Sequence, residues 1–116
     1  MILLKRVYEE PAKDDGYRIL VDRLWPRGLT RERAKVDLWM KEIAPSDALR
    51  KWFGHEPEKW PEFVKRYRSE LIGKKDLLKE VKRLEREHGT VTLLYGRKDE
   101  KQNQAVLIAA KLKGKK

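Results

Sequence analysis

The apolar positions change period several times along the chain, and each change predicts an element. Ile2 to Tyr8 is apolar and β-branched enough for a strand. Pro11 to Gly16 reads as a loop, with Asp14-Asp15-Gly16 its turn signal. Tyr17 to Trp25 opens with a near-continuous apolar run, the pattern of a strand covered on both faces. Pro26 ends that run and biases Trp25 towards extended backbone. Trp25-Pro26-Arg27-Gly28 then fits a tight turn, with Pro second and Gly fourth. From Lys35 to Lys41, Val36, Leu38 and Met40 alternate with Asp37, Trp39 and Lys41, which predicts a half-buried strand. Thr30 could also cap a helix there.

The period then lengthens. Ser46 is a good N-cap for a short helix carrying Leu49, Trp52 and Phe53, and Gly54 stops it. Trp60, Phe63, Val64, Tyr67 and Leu71 follow helical spacing, with Pro61 in the first turn and Gly73 past the end. A further helix runs from Asp76 to His88-Gly89, with Leu77, Leu78, Val81 and Leu84 on one stripe. Thr90 to Tyr95 is the clearest strand. Asp99 with Gln102 three residues on resembles a capping box for a last helix carrying Ala105, Val106, Ile108, Ala109 and Leu112. Two long helices thus separate the early strands from the last one. The expected fold is α/β, one domain over residues 1–116, with a mostly parallel central sheet of three to five strands flanked by helices.

Composition narrows the chemistry. Without cysteine there is no disulfide, thiolate nucleophile or cysteine-ligated zinc, and His55 and His88 have no partner at a recognised metal spacing. No metal or cofactor is expected. No apolar run approaches a membrane span, and Ile2-Leu3-Leu4 meets Lys5-Arg6 too soon for a signal peptide, so a cytoplasmic, non-membrane protein is expected. The net charge is +10, and residues 90–116 hold seven Lys/Arg against two Asp/Glu. Much of the excess is thus a basic tail, Lys111 to Lys116, read as a frayed, solubilising end or as part of a nucleic-acid surface.

The candidate site follows from topology. If the strands ending near Asp22 and Tyr95 run parallel, their C-terminal ends share the edge where open α/β sheets bind ligands. One loop would bring Asp22, Arg23, Trp25 and Arg27; the other Tyr95, Arg97, Lys98 and Asp99, with Asn103 and the free N–H groups of the last helix. Arginine holds phosphate or carboxylate oxygens bidentately, and a helix start favours anions. Asp22 would orient an arginine or act as a base, within ion-pair distance of Arg23 or Arg27, and Lys98 would neutralise charge. Plainer roles compete: an Asp22–Arg23 structural ion pair, Asp99 as a helix cap, His55 in a loop, and His88 as a cation at a helix C-terminus. Trp39, Trp52 and Trp60 fit the core or helix contacts. Gly-rich phosphate loops, Gly-x-Ser-x-Gly and His-Glu-x-x-His are missing.

The string Val21-Asp22-Arg23-Leu24-Trp25-Pro26-Arg27-Gly28 resembles the hallmark of the YeaO-like branch of the domain-of-unknown-function 488 family. Lys5-Arg6-Val7-Tyr8, Ala44-Pro45-Ser46, Leu49 to His55, Trp60, Phe63, Tyr67, Glu70-Leu71, Leu94-Tyr95, Lys98-Asp99, Asn103 and Ala105 agree in order. The resemblance implies little about function. Longer relatives place cysteines and a Cys-His-Arg triplet around the last strand and helix start, a region without cysteine here. Short relatives often have His-Asn-His where this chain has Gln102-Asn103-Gln104. The leading expectation is a site for a small phosphate- or carboxylate-bearing molecule, with catalysis left open. The alternatives are a nucleic-acid-binding domain using the basic surface and tail, or an interaction module; oligomeric state is not readable.

Overall fold

The computed structural model describes residues 1–114. Four parallel strands, β1 (Ile2–Arg6), β2 (Tyr17–Leu20), β3 (Leu38–Trp39) and β4 (Val91–Tyr95), pair in the order β1-β4-β2-β3. The helices are α1 (Arg31–Ala34), α2 (Asp47–Phe53), α3 (Trp60–Ile72), α4 (Lys75–His88) and α5 (Gln104–Leu112). The last strand is inserted at the centre, so it is buried on both faces, as its unbroken apolar run requires. Among the described residues, no helix is long and apolar enough to cross a membrane.

Strand alternation divides the core in two. Ile19, Val91 and Leu93 face the helices, where they meet Phe53, Phe63, Tyr67, Leu71, Val81 and Ile108. Leu20 and Leu94 face the other way, towards Val7, Ala34, Trp25 and Trp39. That second face also holds a polar cluster. Asp15, only 5% exposed, receives Lys5 Nζ at 3.1 Å and Arg18 Nη1 at 2.5 Å. Arg18 spends its other donors on the carbonyls of Lys35 and Ala34. Burial pushes Asp15 up, but the Ala12 N–H, Lys5 and Arg18 outweigh it and hold the carboxyl below its ordinary value.

Most elements match the pattern reading, and the departures have local causes. β2 ends at Leu20, well before Trp25. The chain leaves the ladder where Asp22 turns its carboxylate onto Gly96 N. The turn is centred on Arg27 and Gly28, one residue later than expected, and Gly28 takes φ +79°. The 35–41 segment is not a seven-residue strand. Lys35 closes α1 in a left-handed conformation, and only Leu38 and Trp39 pair before a 3-10 turn begins at Lys41. Thr30 does cap α1, accepting from Arg33 N. Asp99 does not cap α5. It closes a turn by accepting from Lys101 N and Gln102 N, and the cap is Asn103, which accepts from Val106 N. Of the basic tail, Lys111 to Gly114 are described, while Lys115 and Lys116 lie outside the described residues.

Candidate functional site

Connections leave β2 towards β3 and leave β4 towards α5, which packs over β1 and β4. The gap between the ends of β2 and β4 is therefore a switch point. A cleft of about 290 Å³ opens there, lined by residues that follow all four strands. Asp22 lies at the junction. Its Oδ2 accepts from Gly96 N at 2.8 Å and its Oδ1 from Gln104 Nε2 at 2.5 Å, tying the β2 loop to the β4 loop and α5. A Cβ on Gly96 would sit 2.9 Å from Asp22 Oδ2, so the contact needs glycine.

The expected ion pair between Asp22 and Arg23 or Arg27 does not form. Among the described residues no ion pair includes Asp22. Burial pushes its carboxyl up from 3.8 to about 6, against the Gly96 and Gln104 hydrogen bonds, which only partly offset it. Arg23 turns away and donates to the carbonyls of Pro45 and Ala44, at 2.9 and 3.1 Å.

Those carbonyls belong to a wall held from several sides. Lys74 Nζ donates to Ala44 O, buried Tyr67 to Ile43 O, and Ser46 binds Glu70 through both its N–H and its hydroxyl. Ser46 also caps α2, which carries Arg50 and Phe53 to the cleft. Among the described residues, the buried Arg50 Nε has no partner. Opposite, Arg6 donates to the carbonyls of Gly96 and Arg97 and fixes the β4 loop. Arg97 lies over the Phe53 ring at 4.5 Å, and its burial lowers its pKa, Asp99 pulling the other way. His55 follows Gly54, both left-handed, and reaches the rim.

The cleft thus brings together Asp22, Arg23, Trp25 and Arg97 from the sequence set and leaves Arg27, Tyr95, Lys98, Asp99 and Asn103 outside its lining. Trp25 is held by a hydrogen bond from its indole to Leu29 O and an edge contact with Trp39. Arg27 is exposed, its carbonyl taken by the Tyr8 hydroxyl. Tyr95 is buried in the core. Lys98 and Asp99 line a shallower depression beside His55 and Arg97. Asn103 is buried, bonded to Asp99 O and Val106 N. The pattern reading missed Arg50 and Gln104. Arg50 stands three residues before Phe53, on one face of α2, and Gln104 is the first residue of α5; neither position breaks a sequence pattern. Among the described residues, no group of acidic or histidine side chains could hold a metal ion.

Over residues 1–115 the chain matches the inactive DUF488-N3 subclade. The uncharacterised protein YeaO of Escherichia coli (strain K12) is 42% identical over 108 residues, 93% of each chain. Uncharacterised proteins of Mycobacterium tuberculosis (strain ATCC 25618 / H37Rv) and Mycobacterium bovis (strain ATCC BAA-935 / AF2122/97) are each 47% identical over 70 residues. Those matches span 60% of this chain and 59% of each mycobacterial relative. No solved structure matches.

Proposed function

The chain belongs to the YeaO-like DUF488 family, in its inactive DUF488-N3 subclade, and on that premise we propose that it binds a small phosphate- or carboxylate-bearing molecule in the switch-point cleft. One observation carries the reading. Arg23, Arg50 and Arg97 line the cleft, and among the described residues its only carboxylate, Asp22, pairs with none of them. Asp47 meets Arg50 at 3.3 Å from an exposed position, a contact worth little in water. An anion with several oxygens would satisfy guanidinium donors that the protein leaves open.

Binding without turnover is the form favoured. The subclade is described as inactive, and the lining offers no hydroxyl or amine nucleophile beyond the Tyr8 phenol. Asp22 then acts as a recognition group instead of a base. Calorimetric titration with inorganic phosphate, citrate and simple phosphomonoesters tests the reading. Arg97→Gln and Arg50→Gln should each weaken binding about tenfold, while Arg27→Gln and Lys98→Gln should leave it nearly unchanged. Equal affinities across the four variants would end it.

A second reading has its own observation. Lys79, Lys82 and Arg86 form one stripe of α4 and, with Lys111 on α5, surround a groove floored by Leu78 and Leu112. The acids of the neighbouring stripe, Glu80 and Glu87, are taken by Arg83. Lys82 also lies 3.8 Å from Glu85, so Lys79, Arg86 and Lys111 are the cations of this groove that suit a phosphodiester backbone, read without regard to sequence.

A further inference from the structure

The polar groups of the cleft are of two kinds. Arg23, Arg50 and Arg97 carry guanidinium groups, which can only donate. Asp22 and Gln104 offer acceptors. Each Asp22 oxygen already takes one hydrogen bond, from Gly96 N or Gln104 Nε2, and keeps a lone pair. Gln104 cannot reverse its amide, because Nε2 also donates to Val21 O at 3.2 Å, and a carbonyl can only accept. Its Oε1 is therefore the free end, and among the described residues nothing donates to it. Around these groups the lining is mainly apolar, with Trp25, Phe53, Phe63 and Leu24.

Resting on the anion-binding reading above, we propose that the ligand is a small anion that also carries a hydrogen-bond-donating nitrogen, its anionic group on the arginines and its N–H groups on Asp22 and Gln104. A ligand with only acceptors would leave the Asp22 carboxylate desolvated against an anion, which like-charge repulsion penalises. An ammonium or an exocyclic amine removes that penalty. The aromatic and apolar walls favour the amine on a planar ring, and a cleft of about 290 Å³ is at the small end of metabolite sites. The wall is held by Tyr67, Lys74 and Arg23 and the β4 loop by Arg6, so the groups that meet the ligand are positioned before it binds.

Calorimetry on the full chain at pH 7.5 tests this with four phosphomonoesters and inorganic phosphate. AMP presents an exocyclic amine with two N–H donors; IMP has a carbonyl there and a single N–H on the adjacent ring nitrogen; ribose 5-phosphate lacks the ring and every N–H; O-phosphoethanolamine carries an aliphatic ammonium. AMP is expected to bind at least tenfold more tightly than IMP or ribose 5-phosphate, and Asp22→Asn to erase most of that gap, weakening AMP while strengthening ribose 5-phosphate, from which the like-charge repulsion is removed. Preference for O-phosphoethanolamine over AMP supports the same chemistry from an aliphatic source. If AMP, IMP and ribose 5-phosphate bind equally, the nitrogen-donor inference is overturned and the anion reading stands. If none binds, inorganic phosphate included, both fall. Should Asp22→Asn fail to fold, the AMP-to-IMP ratio of the unaltered protein decides alone.

Discussion

The Asp22 carboxyl makes a prediction about stability that needs no ligand. Folded, it titrates near 6; in the unfolded chain it returns to 3.8. Between those values the folded protein holds more protons than the unfolded one, so stability from this group is complete below about pH 4 and is lost as pH rises through 6. Two units correspond to about 3 kcal/mol, and partial solvent access at the cleft lowers the expected figure to about 2 kcal/mol. Other acids titrate in the same range, and Asp15 has the opposite sign, so the whole-protein profile is not the readout. The difference between the protein and Asp22→Asn is. Asparagine sets an N–H against the Gly96 or Gln104 donor, a pH-independent loss of about 1–3 kcal/mol. On top of that offset, the variant should gain about 2 kcal/mol relative to the unaltered protein between pH 4 and pH 7. Urea unfolding by circular dichroism at one-unit steps and constant ionic strength measures it. A difference flat to within about 0.5 kcal/mol across the range, against the expected change of about 2 kcal/mol, would refute an isolated, desolvated Asp22.

Three further outcomes follow from the structure. Asp15→Ala leaves Arg18 charged and only 4% exposed, so it should destabilise by about 3–5 kcal/mol in urea unfolding. Since the Asp15 carboxyl is held below 3.8, that gap should persist above pH 4 and close as the pH falls further. Gly96→Ala should push the Asp22 carboxylate off its N–H partner, enlarge the Asp22 pH signature and weaken AMP binding, as seen by repeating the two measurements above; an unchanged signature would mean the loop yields instead. Joint Lys79→Glu and Arg86→Glu substitution should lower the salt slope of duplex binding by about two contacts in fluorescence anisotropy, and a slope equal to the starting protein's would exclude the α4 groove as the nucleic-acid face.

The strands and helices were legible because each carries a period and a stop: Ser46 and Gly54 bound α2, Pro61 and Gly73 mark α3, and the apolar run at 91–95 leaves β4 no exposed face. Parallel pairing and the location of the cleft followed from alternation of strands and long helices. The side-chain partners were not legible, because sequence adjacency misleads at a strand end. Asp22 and Arg23 are neighbours in the chain, yet where the chain bends after β2 they take different partners, Gly96 and Gln104 for one, Ala44 and Pro45 for the other. Asp99 carried the stronger capping signature, but Asn103, one residue before α5, is where the helix starts. Arg50 and Gln104 reach the cleft through tertiary placement of whole helices, which no local spacing encodes.

Buried Asp15 and half-buried Asp22 together argue for what the cleft is. Asp15 and Asp22 both come from loops beside β2, and both accept a backbone N–H. Asp15 has Lys5 and Arg18 brought to it, and its charge is stabilised by the fold. Asp22 has three arginines in the same cleft, yet Arg23 is turned to carbonyls, Arg97 to the Phe53 ring, and Arg50 to an exposed acid. Pairing Asp22 with any of them would relieve the desolvation that raises its pKa and would also quench the positive side. The sheet instead keeps acceptor and donors apart, at a standing loss of about 2 kcal/mol at neutral pH. A purely structural cluster has no reason to maintain that separation, since the Asp15 arrangement is built a few residues away. A site that must meet a ligand bearing both an anion and a nitrogen donor needs it, because paired side chains would have to be broken before each binding event. Replacing Gln104 by leucine tests the logic from the other side: it removes one acceptor and one of the Asp22 donors without touching the arginines. The Asp22 carboxyl should then titrate higher still, inorganic phosphate should bind at neutral pH as before, and AMP should lose its advantage over IMP. Loss of phosphate binding along with AMP would mean the acceptor and donor sides are one coupled network, and the separation argued here would not hold.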